Sequence, residues 1–244
     1  MVRRHLKMSY LVQSIMIFGM IQIISVLILN EYIKNCCLYD VVIFFIIYSN
    51  LTLIPVIPFV CLTRIQTDFN PNIIIRYKKI EKIWIDRVIG KLIWAFEIML
   101  VIYTIGLLMG ISVMDTVYNW SDSNSFYAEY LFRICEKQPN IVIMIVVSFF
   151  GNTLFVFTVE IISGFVMWIT DTAWLAYISP LLVFYIYYFG MLKFNIFGSC
   201  FNYADVQYLC GDLKALVFRY LRIVCVDVIL IYLAMFIKKR DFLK

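Results

Sequence analysis

Apolar runs of about 20 residues recur along almost the whole chain and are separated by short polar segments. A helix needs about 20 apolar residues to cross the roughly 30 Å hydrocarbon layer of a membrane, since each residue adds about 1.5 Å. The pattern therefore predicts an all-α polytopic membrane protein, with six transmembrane helices in a single transmembrane domain over residues 1–244. The predicted spans are residues 10–29, 41–62, 92–114, 141–168, 173–191 and 222–237.

Two longer polar segments between the spans predict outer loops, at residues 115–140 and 192–221. The first is rich in acids and aromatic residues and predicts a short interfacial helix around Phe126 to Ile134, because Tyr and Trp favour the headgroup region. The second contains two short semi-polar pieces, which predict a re-entrant segment before the last span.

The fourth and fifth predicted spans share one continuous apolar stretch, so the turn between them has two candidate positions. One lies near Ser163 and Gly164, and the other is the sequence "TDT" at residues 170–172. We place the turn at "TDT".

The third predicted span carries Gly106 and Gly110 at the G-x-x-x-G spacing, which lets two helix backbones approach closely. The spacing serves either packing within the fold or a dimer seam.

Composition agrees with a membrane protein. The chain has 64% hydrophobic, 18% aromatic and 15% charged residues, whereas an ordinary soluble domain has roughly 45–50% apolar and about 25% charged residues. No polar segment is long enough to form a soluble domain of useful size.

Positive charge is concentrated on one side of the predicted membrane. Of the 21 Lys and Arg residues, three precede the first span, seven lie in the loop at residues 63–91 and four follow the last span. Cytoplasmic loops are enriched in Lys and Arg, so both termini are predicted to lie in the cytoplasm, with the chain in the cell membrane. Orientation thus explains the net charge of +5, and we expect the lipid bilayer, not nucleic acid, as a partner.

Motifs for catalysis and metal binding are missing from the sequence. Its seven cysteines include no C-x-x-C pair and its one histidine is His5, so we expect no zinc or haem site. It has no phosphate loop, H-E-x-x-H or G-x-S-x-G motif, so we expect no enzymatic activity and no cofactor in this chain. Cys200 and Cys210 either bridge an outer loop, if that face is oxidising, or are free thiols or packing residues.

Three carboxylates, Glu97, Glu160 and Asp227, fall inside or at the edges of predicted spans. A charge at the membrane centre costs about 2.5–3.5 kcal/mol on insertion scales, so each carboxylate must face protein, water or a cation. Two interpretations stay open: the acids lie at the level of the headgroups, or they belong to a proton relay or a substrate site.

The segment "IIIRYKKIEKIWIDRVIGK", residues 73–91, is the most charged part of the chain. At 100° per residue it forms an amphipathic helix with an apolar stripe and an opposite charged arc. Such a cytoplasmic helix either lies on the membrane surface, held by anionic headgroups, or docks a soluble partner. The stripe contains Ile73, Tyr77, Ile80, Trp84 and Val88, and the arc contains Lys78, Lys79, Lys82 and Asp86.

This arrangement resembles the permease subunits of type 2 ATP-binding-cassette transporters, in particular the small six-span permeases of bacterial peptide-antibiotic export and self-immunity. The resemblance covers the whole chain and rests on its layout, on the basic loop "RYKKIEKIWIDRVIGKL" and on the terminal "FIKKRDF". It implies that the loop helix is a coupling helix that contacts separate ATPase subunits. The implied contact residues are Arg76, Tyr77, Lys79, Ile80, Trp84 and Arg87.

The resemblance also implies a mode of action. The partner ATPase subunits would bind ATP and Mg, and a second permease chain, identical or homologous, would complete the pathway. The substrate would be a hydrophobic or amphipathic compound such as an antimicrobial peptide. The competing hypothesis is a six-span membrane protein that works without ATP, either a substrate-binding component of an uptake system or a sensor whose basic loop docks a signalling partner.

Overall fold

A computed structural model describes residues 16, 19, 20, 23, 24, 27, 35–42, 56–58, 80–131, 138–188 and 213–241. All regular secondary structure in these residues is helical, which confirms the all-α class for the described part of the chain. The helices with defined bounds are α1 (Leu38–Asp40), α2 (Ile80–Val113), α3 (Phe126–Leu131), α4 (Ile141–Thr170), α5 (Ala173–Tyr188) and α6 (Leu213–Asp241).

Three helices are long and apolar enough to cross a membrane, among the residues that the structure describes. They are Lys82–Val113, Ile141–Thr170 and Tyr220–Ile237. Helices of this kind are compatible with the membrane protein that the composition predicts. The six-span topology stays a prediction, because the first two predicted spans lie largely outside the described residues.

Two helices begin earlier than the predicted spans. Helix α2 starts at Ile80, inside the predicted loop 63–91, and continues to Val113 without a break. Helix α6 starts at Leu213, inside the predicted outer loop 192–221. No proline interrupts either helix, and the polar residues near their starts do not stop helix propagation. The rest of the predicted re-entrant segment lies outside the described residues.

The turn after α4 is the one predicted at "TDT". Helix α4 ends at Thr170 and α5 begins at Ala173, so Asp171 and Thr172 form the connection. Asp171 has a φ of 52°, in the left-handed region, which aspartate tolerates better than most residues. The alternative turn near Ser163 is wrong, because Ser163 lies inside α4.

A short helix is present from Phe126, where one was predicted, over the residues that the structure describes; its position at the membrane interface stays a prediction. Helix α3 covers Phe126–Leu131, and Ser125 Oγ accepts a hydrogen bond from the Ala128 backbone at 3.2 Å. Ser125 is therefore the N-cap that starts the helix, a role that serine fills well.

The chain divides into two compact units. Unit 1 comprises residues 1–51, 97–152 and 199–215, and unit 2 comprises residues 52–96, 153–198 and 216–244.

Helix α4 lies at the centre of unit 2, where its residues 155–164 are all buried. One face contacts α2, where Lys91 donates to the Glu160 carbonyl oxygen. A second face contacts α5, where Ser163 Oγ donates to the carbonyl oxygen of Ala176 at 2.8 Å. A third face contacts α6 through Asp227. The helix is therefore enclosed by three others, which explains its burial.

In unit 1, Gly110 of α2 packs closely against the segment that contains α1. A Cβ atom at Gly110 would lie 2.8 Å from Leu38 Cδ1 and 3.1 Å from Val41 Cγ1. Glycine at this position therefore allows a close contact within the chain, which favours the first of the two interpretations of the G-x-x-x-G spacing.

We expect Gly110→Ala to lower the free energy of unfolding by about 1–3 kcal/mol, the usual cost of overpacking. Gly90→Ala on the same helix is the matched control. No atom lies within 4 Å of a Cβ atom at Gly90, and alanine is the better helix former, so this change should be neutral or stabilising. Thermal unfolding in detergent measures both variants, and equal midpoints would contradict the close contact at Gly110.

Candidate functional site

Part of the predicted coupling helix is described by the structure. Arg76, Tyr77 and Lys79 lie outside the described residues, and Ile80 is the first residue of α2. The other two candidates, Trp84 and Arg87, lie in the second and third turns of α2, and only Trp84 is fully buried.

Trp84 packs inside unit 2 and is only 3% exposed. Its ring lies 5.1 Å from the ring of Trp168 on α4, measured between centroids. The two indole N–H groups both donate to α6: Trp84 to the Ile231 carbonyl oxygen at 3.1 Å, and Trp168 to that of Ala234 at 3.2 Å. We call these two residues the tryptophan pair. They join α2, α4 and α6 at one level of unit 2.

In the described part of the basic segment, the predicted stripe and arc lie on different sides of the helix, as the helical projection indicates. Val88, one turn after Trp84, packs against the tryptophan pair, whereas Lys82 and Asp86 are exposed. The described part of the stripe therefore contacts other helices of the same chain. Trp84 is buried by helices of its own chain, without lipid or a soluble partner. The sequence pattern alone did not distinguish contact with these helices from contact with lipid or a partner.

A second apolar face of α2 is exposed. It begins in the basic segment and continues into the predicted span 92–114, so these two parts of α2 share one exposed apolar face. A continuous face of this kind suits contact with lipid tails. Its residues are Ile85, Ile89, Leu92, Ile93, Phe96 and Leu100.

The three carboxylates singled out in the sequence have different surroundings. Glu160 and Asp227 are buried in unit 2, with exposed fractions of 0% and 2%, whereas Glu97 in unit 1 is exposed. Two of the three acids thus belong to the packing of helices within unit 2.

Lys91 is a residue that the sequence interpretation missed, because it was counted as a loop charge. Its Nζ donates to the carbonyl oxygen of Glu160, so a cation lies beside the buried acid. Gly164, one turn after Glu160 on α4, makes this contact possible, since a Cβ atom there would overlap the Lys91 amine. The i, i+4 spacing of Glu160 and Gly164 is the signal that places both on one helix face.

Asp227 on α6 contacts α4 through a threonine. Thr158 Oγ1 lies 2.9 Å from Asp227 Oδ2 and also 2.9 Å from the carbonyl oxygen of Leu154. Within the described structure, Asp227 Oδ1 has no hydrogen-bond partner. A buried acid therefore joins α4 and α6, two helices that are long and apolar enough to cross a membrane, by a polar contact.

A second buried acid site lies in unit 1 around Asp40, which is 0% exposed. Its Oδ1 accepts a hydrogen bond from Trp120 Nε1 at 2.8 Å, and its Oδ2 accepts one from the Cys37 backbone N–H at 2.9 Å. In the predicted topology, Asp40 belongs to the short polar link between the spans 10–29 and 41–62. No local pattern connects it to Trp120, because the two residues are 80 positions apart.

Aromatic rings surround the Asp40 site. The ring of Trp120 stacks on Tyr127 at 4.1 Å and meets Tyr39 edge to face at 5.5 Å. The Tyr39 hydroxyl donates to the carbonyl oxygen of Pro139 at 2.9 Å. The segment around α1 is therefore tied to both ends of the predicted outer loop 115–140.

Two thiols beside Asp40 are held in their neutral form. Burial raises the pKa of the Cys37 thiol to about 12, and the charge of Asp40 adds to this effect. Burial and the Asp40 charge also raise the pKa of the Cys36 thiol well above its usual value. Because the thiolate is the reactive form of cysteine, both residues should be poor nucleophiles at neutral pH.

Metal ligands do not cluster in the part of the chain that the structure describes, where no group of three His, Cys, Asp or Glu side chains could hold an ion. The absence of a cofactor stays a prediction, as does the state of Cys200 and Cys210, which lie outside the described residues.

Comparison with protein-family models, with curated proteins and with solved structures finds no match for this chain.

Proposed function

We propose that this chain is the membrane-spanning permease subunit of an ATP-binding-cassette transporter, powered by separate ATPase subunits that bind ATP and Mg. It works with a second permease chain, identical or homologous. The transporter exports a hydrophobic or amphipathic compound, such as an antimicrobial peptide, across the cell membrane of a bacterium. Both termini of the chain lie in the cytoplasm.

The observation that carries this proposal is the continuity of α2. The helix has 34 residues and is therefore about 51 Å long, roughly 20 Å longer than the hydrocarbon layer of a membrane. Its first turns belong to the basic segment 73–91. A soluble protein that binds this segment would therefore act directly on a membrane helix, which is what a coupling element requires.

The tryptophan pair supplies the next step in this mechanism. A displacement of the start of α2 also moves Trp84, whose indole N–H is bonded to α6 and whose ring packs on Trp168 of α4. ATP binding closes the two ATPase subunits, the closure displaces residues 73–79, and α4 and α6 follow through the tryptophan pair. Two chains moving in this way would alternate between inward and outward access.

Charge reversal in the basic segment tests the docking step. The double variant Arg76→Glu with Lys79→Glu changes two charged candidate contact residues and none of the residues of α2 whose burial is described above, so we expect the chain to fold. We expect it to lose an ATPase that co-purifies with the wild-type chain in mild detergent, because the contact is held by positive charge. ATP hydrolysis and mass spectrometry identify the co-purified protein.

The matched control reverses two positive charges that lie outside the basic segment. Lys214→Glu with Arg222→Glu makes the same change in charge on the predicted outer side and should retain the ATPase. Retention of the ATPase by the first variant, or equal loss from both, would refute the assignment of the basic segment as the docking element.

The alternative function is an ATP-independent six-span membrane protein, either an uptake component or a sensor. The observation that favours it is the burial of Glu160 and Asp227 in unit 2, because buried acids in membrane helices often belong to proton or substrate pathways. Wild-type protein that purifies without any ATPase, yet binds a small molecule, would support this alternative.

A further inference from the structure

The Thr158 hydroxyl makes two contacts that bear on whether the buried acid on α6, Asp227, is protonated. The Thr158 hydroxyl oxygen lies 2.9 Å from the Leu154 carbonyl oxygen and 2.9 Å from Asp227 Oδ2. Both distances lie within the usual range for O–H···O bonds. A threonine hydroxyl carries a single hydrogen, so it cannot donate a full bond to both oxygens.

The second contact therefore needs a hydrogen from the other partner. The Leu154 carbonyl oxygen has none to give, whereas a protonated carboxylic acid has one O–H donor. Donation from threonine to the carbonyl oxygen four residues earlier is also a common arrangement inside helices. Both bonds are satisfied only if Thr158 donates to Leu154 and accepts from Asp227.

We propose that Asp227 is a proton-binding site within the membrane-spanning part of the chain. In this structure its carboxyl O–H donates to Thr158 Oγ1 and thereby joins α6 to α4. The ligand is a proton, and the site consists of Asp227, Thr158 and the Leu154 carbonyl group.

The surroundings of Asp227 support the neutral acid. Its side chain is 2% exposed in the apolar helix Tyr220–Ile237, and Oδ1 has no hydrogen-bond partner in the described structure. An ionised carboxylate in that position would have at most one shared hydrogen to stabilise its charge, and burying a charge in that way is costly.

No described cation compensates a charge on Asp227. Glu160 is the nearest titratable residue on α4, but it lies two residues from Thr158 and so about 200° around the helix. Its backbone contacts Lys91 of α2. Within the described structure, the Asp227 carboxyl contacts Thr158 through Oδ2 and has no hydrogen-bond partner at Oδ1, although unit 2 has further charged or titratable side chains that the structure describes. These side chains are Lys82, Asp86, Arg87, Lys91, Glu160, Asp171, Tyr177, Tyr220, Arg222, Cys225 and Tyr232.

The site makes the contact between α4 and α6 dependent on protonation. When the proton leaves, Thr158 has one hydrogen for two acceptors and the new charge is buried. Because an aspartate in the unfolded chain ionises at about pH 4, the bond stabilises the folded chain fully only below that pH, and this stabilisation is lost as rising pH removes the proton from the folded form. This inference does not depend on the proposed partner ATPase.

Infrared spectroscopy of the purified full-length chain in detergent tests the proposal. We expect the wild-type protein at neutral pH to show the carbonyl stretch of a protonated carboxylic acid, and we expect this band to be missing from Asp227→Asn. Glu160→Gln is the control for the other buried acid in unit 2 and should retain the band. Identical spectra for wild type and Asp227→Asn in this region would overturn the proposal, as would loss of the band only in Glu160→Gln.

Unfolding midpoints provide a second readout. The amide of Asp227→Asn can donate to Thr158 as the protonated acid does and needs no proton uptake on folding, so this variant should be at least as stable as the wild type at neutral pH, whereas Asp227→Ala should unfold several degrees lower. Raising the pH should lower the midpoint of the wild type more than that of Asp227→Asn. An equal pH dependence, or an Asp227→Asn midpoint as low as that of Asp227→Ala, would contradict a bound proton.

Discussion

Asp40→Ala is expected to lower the free energy of unfolding by about 3 kcal/mol or more, one of the two largest effects in this chain. The substitution removes the acceptor of the Trp120 indole N–H and of the Cys37 backbone N–H. Each buried donor left without an acceptor costs roughly 1–3 kcal/mol. Both donors are enclosed, since Trp120 and Cys37 are 0% exposed, so water cannot replace the carboxylate without opening unit 1.

Thermal unfolding in detergent measures this loss, with Asp115→Ala as the matched control. Asp115 lies in the same polar segment as Trp120 but is exposed, so its substitution should leave the midpoint nearly unchanged. Asp40→Asn keeps one acceptor oxygen and should fall between the wild type and Asp40→Ala. Similar midpoints for Asp40→Ala and Asp115→Ala would show that the Asp40 bonds do not hold unit 1 together.

Trp84→Ala is the second large expected effect, at about 3–5 kcal/mol of destabilisation. The indole fills space against Trp168 and donates to the carbonyl oxygen of Ile231. Truncation to alanine leaves a cavity among α2, α4 and α6 and removes the link between α2 and α6. Loss of an ATPase from this variant would thus report unfolding of unit 2 as readily as loss of docking.

Two further variants test whether the loss of stability comes from the buried position of Trp84. Trp174→Ala removes a tryptophan from α5 that is 62% exposed, so it should change stability little. Trp84→Phe keeps most of the ring and should cost about 1–2 kcal/mol, because part of the volume and one hydrogen bond are lost. A stability for Trp84→Ala equal to that of Trp174→Ala would refute the burial of Trp84.

Features set by local pattern were predictable from the sequence. The turn at Asp171 follows from two apolar runs of helical length that meet at a short polar tripeptide, and the start of α3 at Phe126 follows from Ser125 and the change in polarity after it. The separation of Trp84 and Val88 from Lys82 and Asp86 follows from the repeat of 3.6 residues. Each of these signals is contained within about ten residues.

Features that depend on distant residues were not predictable in this way. Helical periodicity places Trp84 on an apolar stripe, but what the stripe contacts depends on Trp168 and Ile231, which are far along the chain. Asp40 looks like any polar link residue until Trp120 is brought beside it. In the sequence, Lys91 looks like one more loop charge. Its amine lies in the space that Gly164 leaves open on α4, and no local pattern connects these two residues.

The start of α2 at Ile80 also changes the meaning of the basic segment. As a separate surface helix it could bind anionic lipid without any effect on the membrane helices. As the first turns of α2 it is connected to them directly, and the buried Trp84 is no longer available as a simple docking contact. The candidate contacts that carry the docking hypothesis are therefore the charged residues before Ile80, above all Arg76 and Lys79.

Photo-crosslinking from Lys79 tests the central claim most directly, namely that the basic segment docks an ATPase. A photoreactive phenylalanine analogue is placed at Lys79 or, as the control on the predicted outer side, at Lys214, and the protein is irradiated in intact cells. We expect an adduct between the Lys79 variant and an ATPase subunit that carries a phosphate loop, and no such adduct from Lys214. Crosslinks from Lys79 to lipid alone, or to the ATPase from both positions alike, would contradict the account.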